Sequence, residues 1–504
     1  MVYPVSLSNP EMAVPGKARE IFSTTLIYSL GTLLTQFISF LLLPLYTRYL
    51  TPSDYGALSL IMVGQSLIVL STELGVVSGL FRFYHQYDTE EERSKLLGTV
   101  LHLLIGSGAA LAIGVHWFAP EIASAAFPFE DGEDLLRIAC TTGVLLPLVS
   151  LYLRTHQLAR KPWRFVATSV AQFLINVCTT VVLVVVLDMG VKGVLVGQFT
   201  AAAALAATCL LQRGRHLFAG FHRSMADPLL RFSLPLLPTN LAAMVIALSD
   251  RFFLERLASI REVGLYAVAD KMAAVLMVLV AVPFSQSWSQ FAFAAQKDAT
   301  LKSAYRRVFH AYAVGVTLLA VLHAFAIREL LWFATTPEFA SAYLIVPVLL
   351  VGPVCHGFIT ILGSGIHLAN RTAMIPVFWG IAMAVNLALN AWLIPLHGML
   401  GAAIATAAAF ITNALLYYRY STHAVPVDYP IRRAGLALLG GAMCGGAWMA
   451  FDVEAFLPSI ALRGGLLLFL GAWLLLTGAV RKTEVSDACT QANVWFQDRF
   501  GRTG

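Results

Sequence analysis

The chain has 504 residues, of which 58% are hydrophobic and only 12% are charged, and its formal net charge is +6. Soluble domains carry about 25% charged residues, so this composition excludes a soluble protein with a single membrane anchor. The basic residues are spread over many loops, whereas a nucleic-acid-binding protein concentrates them in one patch. Nucleic acid is therefore not an expected partner.

Apolar segments follow one another along almost the whole chain, each close to the ~20 residues that a helix needs to cross a bilayer. A β-barrel would instead show ~10-residue segments of alternating polarity. The sequence therefore predicts an all-α, polytopic membrane protein with about fourteen transmembrane helices. In chain order the expected spans are 24–46, 56–80, 97–118, 136–153, 163–187, 193–211, 234–254, 264–287, 308–327, 343–361, 373–394, 401–418, 435–451 and 462–480.

The loops between these spans differ sharply in their content of Lys and Arg. Numbering the loops alternately places 25 basic residues on one side of the membrane and 8 on the other. Cytoplasmic loops are the ones enriched in Lys and Arg, so we expect both termini in the cytoplasm. An even number of spans follows from that orientation.

Short motifs recur at nearly constant offsets along the chain. Two pairs are separated by 208 residues and a third by 210, and the pairs are 48–56 with 256–264, 190–193 with 398–401, and 158–161 with 368–371. Six spans separate the copies, so the two halves have the same orientation. Parallel six-helix repeats are a transporter architecture, and the repeat predicts two such lobes followed by two further C-terminal helices.

The domain organisation expected from these patterns has six parts. They are a cytoplasmic N-terminal tail (1–23), an N-lobe of helices 1–6 (24–211), a cytoplasmic interfacial linker (212–231), a C-lobe of helices 7–12 (232–420), two additional C-terminal helices (421–480) and a cytoplasmic C-terminal tail (481–504).

Lys271 is a cation inside the apolar eighth span. A charge at such depth costs at least ~2.5 kcal/mol on insertion scales, so it normally faces a bundle interior or a wet cavity. Lys271 is accordingly a candidate ligand for an anionic substrate, or else the partner of an acid on a neighbouring helix such as Glu73. Asp270 lies ~100° away around the same helix; it is a poor direct partner and a second cavity candidate.

Three further charged residues end or interrupt spans of the first half. Glu73, well inside the second span, is expected either to carry a coupling proton or to be a paired structural acid. Arg82 and Arg154 end the second and fourth spans on the cytoplasmic side. Each either lines an inward-facing mouth or anchors the helix by extending to lipid headgroups.

Metals, disulfides and cofactors are not indicated. The histidines show no ligand spacing such as HExxH, the six cysteines form no CxxC pair, and no Walker motif is present. Asn176, Asn240, Asn386 and Asn390 lie within apolar spans, where amide side chains more often bond to neighbouring helices than to sugars.

Five motifs taken together resemble the polysaccharide and oligosaccharide-lipid flippases of the multidrug/oligosaccharidyl-lipid/polysaccharide exporter superfamily. They are 47–56, 233–235 with 249–254, 263–271, 386–390 and 394–406, and the similarity covers nearly the whole chain. The resemblance implies two six-helix lobes that form a V around a central cavity, with two extra C-terminal helices. It also implies alternating access that moves an undecaprenyl-pyrophosphate-linked glycan outward across the inner membrane.

The same resemblance assigns roles to individual residues. Ala269-Asp270-Lys271 matches an Ala-Asp-cation motif in the eighth span of related lipid II flippases, with Lys in place of the usual Arg. A lysine offers a point charge without the bidentate fork of arginine, so a looser grip on phosphate is implied. Asp250 and Arg251 match the family's Asp-Arg pair and are expected either at the rim of the cavity or as an ion pair at a helix end. The full set of candidate substrate-binding residues is Lys271, Asp270, Arg251, Asp250, Arg82, Arg154, Glu73 and Arg48.

The expected partners are the lipid-linked glycan and membrane lipids, with glycan polymerases or glycosyltransferases as further candidates. The alternatives are a cation-coupled drug antiporter of the same superfamily, a lipid II flippase, and a membrane glycan polymerase or ligase. Lys271 and fourteen spans weigh against the antiporter. The outer loops are short, which weighs against an enzyme, since such enzymes carry catalytic residues on a large outer loop.

Overall fold

The computed structural model describes residues 40, 42–159, 161–294, 301–369, 371–424, 427–451 and 456–481. Every regular element within those ranges is a helix, which confirms the predicted all-α class. Most of the expected first span (24–46) and both terminal tails, 1–23 and all of 481–504 but Arg481, lie outside the described residues.

The α-helices are numbered in chain order; short 3₁₀ and π segments connect or interrupt them. They are α1 (Leu43–Tyr49), α2 (Pro52–Glu73), α3 (Val76–Tyr84), α4 (Glu90–Trp117), α5 (Ala119–Ala126), α6 (Gly132–Leu158), α7 (Pro162–Val181), α8 (Gly190–Arg213), α9 (Arg223–Ser233), α10 (Leu237–Leu257), α11 (Ile260–Leu276), α12 (Val282–Ala294), α13 (Leu301–Ala334), α14 (Val346–Leu349), α15 (Val351–Leu368), α16 (Ile375–Ala424), α17 (Ile431–Ala450) and α18 (Phe456–Leu476).

The chain forms two compact units, each with its own apolar core. Among the described residues, the first unit comprises 40, 42 and 64–234, and the second comprises 43–63 and 235–481. Leucine and valine side chains of α3, α4, α6 and α9 form the core of the first unit. Aromatic rings of α12, α13 and α15 dominate the core of the second unit. The lobe boundaries expected from the sequence stay a prediction.

Eleven stretches of the described chain are helical, long and apolar enough to cross a membrane. One of them, Thr372–His423, contains two helices, because Gly398 inside α16 leaves the helical conformation (φ 53°, ψ −132°). The glycine-rich α17 is not among the eleven. The chain is thus a multi-pass membrane protein, while the predicted count of fourteen spans is not confirmed.

Two of the sequence repeats form the same local turn. Gly190 and Gly398 both adopt positive φ, 52° and 53°, a conformation that only glycine adopts without strain. Three residues later, a Cβ atom on Gly401 would collide with the backbone of Leu393, and one on Gly193 would lie 3.1–3.2 Å from atoms of Met189, Val184 and Leu183. Each pair therefore makes a tight reversal from one helix into the next, which is why glycine recurs at both positions.

A second repeated turn ends α6 and α15. The amide of Lys161 donates to the carbonyl of His156 at 2.9 Å, and the amide of Arg371 donates to that of Ile366 at 3.1 Å. Both bonds span five residues, the pattern of a Schellman cap at a helix C-terminus. The two sequence copies, 158–161 and 368–371, thus encode the same helix end.

The glycines at equivalent places in the third repeat contact each other within the second unit. A Cβ atom on Gly56 of α2 would collide with the carbonyl oxygen of Ile260, and one on Gly264 of α11 with that of Pro52. In a membrane the hydrophobic effect does not drive helices together, so they associate through van der Waals packing. Small residues let the two helices approach this closely. Gly56 and Gly264 therefore fix how α2 lies on α11.

Replacing Gly264 by alanine should force α2 and α11 apart. We expect Gly264→Ala to lower the stability of the protein by about 1–3 kcal/mol, the usual cost of overpacking, seen as a lower thermal unfolding midpoint in detergent. Gly380→Ala is the matched control, because no atom lies within 4 Å of its Cβ position and alanine favours the helix. An unchanged midpoint for Gly264→Ala would show that this contact is not tight.

Candidate functional site

Arg251 of α10 makes three hydrogen bonds inside the second unit. Its Nε donates to the hydroxyl of Ser59 on α2 at 2.7 Å, Nη1 to the carbonyl of Ala247 at 3.0 Å, and Nη2 to Asp270 on α11 at 2.8 Å. The Arg251 side chain is 8% exposed, whereas that of Asp270 is 45% exposed. The guanidinium is therefore fixed, and the Asp270 carboxylate presents its free face to a more open region.

Lys271 follows Asp270 on α11 and is half-buried. Its ammonium lies 5.9 Å from the centre of the Tyr46 ring on α1, a cation–π contact worth about 0.5–2 kcal/mol. Among the described residues of its own unit, no carboxylate comes within ion-pair distance of it, because Asp270 is turned to Arg251. Lys271 thus forms no ion pair with an acid in the described part of this unit.

Asp250, the neighbour of Arg251 on α10, lies at the centre of a buried hydrogen-bond network. It is fully buried and accepts bonds from the hydroxyls of Tyr266 and Thr406 and from the amide of Asn390 at 2.6 Å. A longer contact of 3.5 Å comes from the amide of Asn386. These donors offset the large cost of burying a carboxylate.

The network links three helices of the second unit. Tyr266 belongs to α11, and Asn386, Asn390 and Thr406 belong to α16. Asn386 also accepts a bond from Ser249 on α10 at 2.9 Å. The prediction of bonds to a neighbouring helix is thereby confirmed for Asn386 and Asn390. Asn176 instead accepts a bond from Thr180 of its own helix α7 at 3.3 Å.

The Asp250 cluster is rich in oxygen atoms and holds a single carboxylate. The carbonyl oxygen of Asn390 is buried there without a hydrogen-bond partner among the described residues. Such a set suits one proton or one monovalent cation, since a divalent ion draws on several carboxylates. Asp250 is enclosed in the unit and does not lie at a rim, and the ion-pair partner of Arg251 is Asp270. The sequence predicts Asp250 and Arg251 either at the rim of the cavity or as an ion pair at a helix end, and the structure differs from both arrangements.

Glu73, Arg82 and Arg154 lie in the first unit. Glu73 ends α2 and is half-buried, and Leu74 and Gly75 follow it with φ values of 48° and 70° that separate α2 from α3. Arg82 is exposed and stacks over Phe232 at 4.4 Å. Glu73 therefore precedes the short helix α3, and Arg82 lies in its last turn.

Arg154 is exposed on α6 and also lies over a phenylalanine, 5.3 Å from the ring of Phe81. It donates to the side chain of Gln157 at 3.0 Å, and its charge acts on Glu73. Arg48, in the second unit, is exposed in the last turn of α1. The structure therefore joins Arg251 with Asp270 directly, while Arg48 stands outside that hydrogen-bonded cluster.

Sequence reasoning did not name Tyr266, Thr406 or Ser59, although each bonds to a candidate residue. Tyr266 and Thr406 lie inside the motifs 263–271 and 394–406, which carry the family resemblance. A hydroxyl or phenol within an apolar span is costly unless it finds a partner. Their occurrence in those motifs was thus the signal available in the sequence.

Comparison with known proteins agrees with this architecture. A family described as "Polysaccharide biosynthesis protein" matches residues 21–289, more than half of the chain, including Asp250, Arg251, Asp270 and Lys271. The chain therefore belongs to this family.

Two curated relatives match parts of the chain. A protein of the Lsg locus of Haemophilus influenzae is 23% identical over 273 residues, 52% of this chain and 63% of the relative. The "Probable low-salt glycan biosynthesis flippase Agl15" of Haloferax volcanii is 24% identical over 196 residues, 38% of this chain and 40% of the relative. The match thus spans less than two thirds of the length of either relative.

Solved structures resemble the chain over most of its length. The lipid II flippase MurJ in its inward closed conformation has a TM-score of 0.67 at 15% identity, with 89% of this chain and 98% of that one covered. An inward-facing multidrug resistance MATE family transporter has a TM-score of 0.60 at 13% identity, with 83% and 96% covered. At sequence identities this low, the similarity shows a shared fold.

The network around Asp250 predicts an asymmetry between two substitutions. Asp250→Ala leaves the donors of Tyr266, Thr406 and Asn390 buried without an acceptor, each at about 1–3 kcal/mol, so we expect a strongly lowered unfolding midpoint in detergent. Asp250→Asn keeps the volume and one acceptor, and the hydroxyls can turn to accept, so most of the stability should remain.

The matched control for these variants is Asp428→Ala, which removes a carboxylate that is 89% exposed in the same unit. It should leave the unfolding midpoint unchanged. If Asp250→Ala were as stable as the unsubstituted protein, the network would have no structural role.

Proposed function

We propose that this protein moves an oligosaccharide linked to undecaprenyl pyrophosphate outward across the bacterial inner membrane by alternating access, without covalent chemistry. The observation that carries this proposal is the half-buried ammonium of Lys271, which no described carboxylate of its unit neutralises. A pyrophosphate that crosses a layer of low dielectric needs an opposite charge to offset its desolvation. Lys271 supplies that charge.

Neighbouring residues suit the same role. Arg251 holds Asp270 at 2.8 Å, which keeps that carboxylate from neutralising the ammonium one residue along the chain. Tyr46 shields one side of the ammonium through its ring. The anion of the cargo therefore meets a cation whose competing acid is already paired, and we assign Lys271 as its principal ligand.

An apolar cavity in the second unit supports a lipid-linked cargo. It has a volume of about 790 Å³ and lies among α13, α15, α16 and α17. Apart from Thr317, Cys355 and Tyr418, its lining side chains are apolar or glycine. A polyprenyl chain gains about 0.8 kcal/mol for each methylene that it buries, and this cavity offers such burial where a free sugar or a hydrophilic drug gains nothing.

A cation-coupled drug antiporter is the less favoured alternative. Such a transporter needs a carboxylate open to a cationic substrate. In the second unit Asp250 is fully buried under its hydrogen-bond donors, and Asp270 is paired with Arg251. The related structure named as a lipid II flippase makes lipid II the other cargo to be tested.

The setting of this activity is also proposed. The family is one of polysaccharide biosynthesis, so the cargo is a repeat unit of an exopolysaccharide, a capsule or an O-antigen. Glycosyltransferases would supply this substrate on the cytoplasmic side, where we place both termini, and a glycan polymerase would consume it on the other side. No cofactor is required by the proposed step.

The Lys271 assignment is tested by charge removal and charge replacement. Lys271→Ala should abolish glycan export, or lower the transport rate at least about tenfold in proteoliposomes that carry a fluorescent polyprenyl-pyrophosphate glycan, because a charge-assisted contact is lost. Lys271→Arg should retain most of the activity. Membrane level and unfolding midpoint are measured in parallel.

Arg261→Ala is the matched control, since it removes an exposed charge from the first turn of the same helix α11. It should transport normally. Full export by a Lys271→Ala variant present at normal level would refute the ligand role, and transport of lipid II alone would redirect the proposal to that cargo.

A further inference from the structure

His156 is a buried residue of the first unit that the proposed transport does not use. It lies in the last turn of α6, is 2% exposed, and neither imidazole nitrogen has a hydrogen-bond partner among the described residues. A buried polar group without a partner costs about 1–3 kcal/mol. The ring packs at 4.6 Å on that of Tyr152, whose hydroxyl donates to Gln212.

Three basic residues lie near His156. The amide of Lys161 donates to the carbonyl of His156, and the amide of Arg164 donates to that of Lys161 at 3.1 Å; Arg213 follows Gln212, which accepts a bond from Tyr152. Lys161 and Arg164 are exposed, whereas Arg213 is half-buried, and its Nε is buried without a hydrogen-bond partner among the described residues. In the described part of the unit, none of the three forms an ion pair with a carboxylate. Positive charge and unused donors thus gather at one place.

The N-terminus of α7 lies at the same place. The helix begins after Lys161 with Pro162 in its first turn and has no side-chain cap, and the amide of Lys161 donates to the carbonyl of His156 at 2.9 Å. The first amides of a helix and its dipole together attract anions. An uncapped helix start beside three cations and an unpartnered buried imidazole has the chemistry of a phosphate site.

Large apolar side chains flank this cluster and are exposed. Trp163, in the first turn of α7, is 72% exposed, and Leu211, in the last turn of α8, is 87% exposed. α6, α7 and α8 are all candidate membrane spans, so the cluster lies at the end of three spans. Tryptophan and basic residues at such ends lie at the depth of the lipid headgroups.

We propose that Lys161, Arg164, Arg213 and His156 bind the phosphate group of an anionic membrane lipid at this end of α6, α7 and α8. The two exposed arms, Lys161 and Arg164, provide charge, while His156 and Arg213 donate hydrogen bonds from inside. A free phosphate from the adjoining water has the same chemistry; exposed Trp163 and Leu211 favour the lipid. If each basic residue only anchored its own helix at the lipid headgroups, the buried imidazole of His156 would still lack a hydrogen-bond partner among the described residues.

The test uses the full-length protein, purified in detergent and stripped of lipid. Binding is measured by native mass spectrometry and by the shift of the unfolding midpoint with phosphatidylglycerol, with phosphatidylcholine and with inorganic phosphate. We expect phosphatidylglycerol to bind, phosphatidylcholine to bind at least about tenfold more weakly, and inorganic phosphate to compete only weakly. The reason is that each basic residue near an anionic lipid surface adds a similar increment of binding free energy.

Two variants remove parts of the site. Lys161→Gln/Arg164→Gln, which alters only exposed side chains, should weaken phosphatidylglycerol binding about tenfold. His156→Phe keeps the ring packing on Tyr152 and removes the hydrogen-bond donor, so it should weaken binding severalfold. Its unfolding midpoint without lipid should not fall, because a buried group without a partner is removed.

The matched control is Arg137→Gln/Lys192→Gln. It removes two charges from the opposite ends of α6 and α8, where each pairs with a carboxylate, and should bind phosphatidylglycerol normally. Equal weakening in this control would show diffuse attraction and overturn the site, as would unchanged binding by Lys161→Gln/Arg164→Gln. Stabilisation by inorganic phosphate without binding of phosphatidylglycerol would overturn the lipid assignment.

Discussion

Two adjacent side chains of α10 hold the second unit together. Asp250 accepts hydrogen bonds from α11 and α16, and Arg251 donates to α2 and α11, so one helix is tied to three others within two residues. In a bilayer, lipid tails are as apolar as leucine, and helices associate through packing and through bonds of this kind. Removing Asp250 leaves several buried donors without an acceptor, and removing Arg251 leaves Ser59 and Asp270 without this partner.

The same arrangement decides which charge remains for a ligand. Asp270 is paired with Arg251 and Asp250 with its neutral donors, so neither acid forms an ion pair with the half-buried Lys271. The ion pair of Asp270 and the cation that we propose as a ligand, Lys271, are thus one residue apart on α11, and ~100° of helical rotation turns the first to α10 and the second to Tyr46. The apolar cavity of about 790 Å³ in this unit offers the complementary chemistry for a lipid chain.

Glycine has a separate task in this fold. Gly190 and Gly398 reverse the chain with positive φ, whereas Gly56 and Gly264 let two helix backbones touch. These are the positions at which the two halves of the sequence repeat, so the repeat preserves backbone geometry more than side-chain chemistry. In the first unit, the guanidinium groups of Arg82 and Arg154 lie over phenylalanine rings. Other basic residues of that unit lie near the buried His156.

The sequence by itself determined the all-α membrane class, the repeated helix ends and the bonding of Asn386 and Asn390 to another helix, because hydropathy and glycine patterns act over short distances along the chain. It also singled out Lys271, since an apolar span makes a charge conspicuous. Only the tertiary structure decided that Arg251 pairs with Asp270, that Asp250 is enclosed, and that His156 lies among three cations. Those outcomes depend on which helices are neighbours in space, across sequence separations of up to 156 residues. Whether a hydrogen bond forms also depends on a few tenths of an ångström and on the orientation of each side chain. No local sequence pattern specifies either.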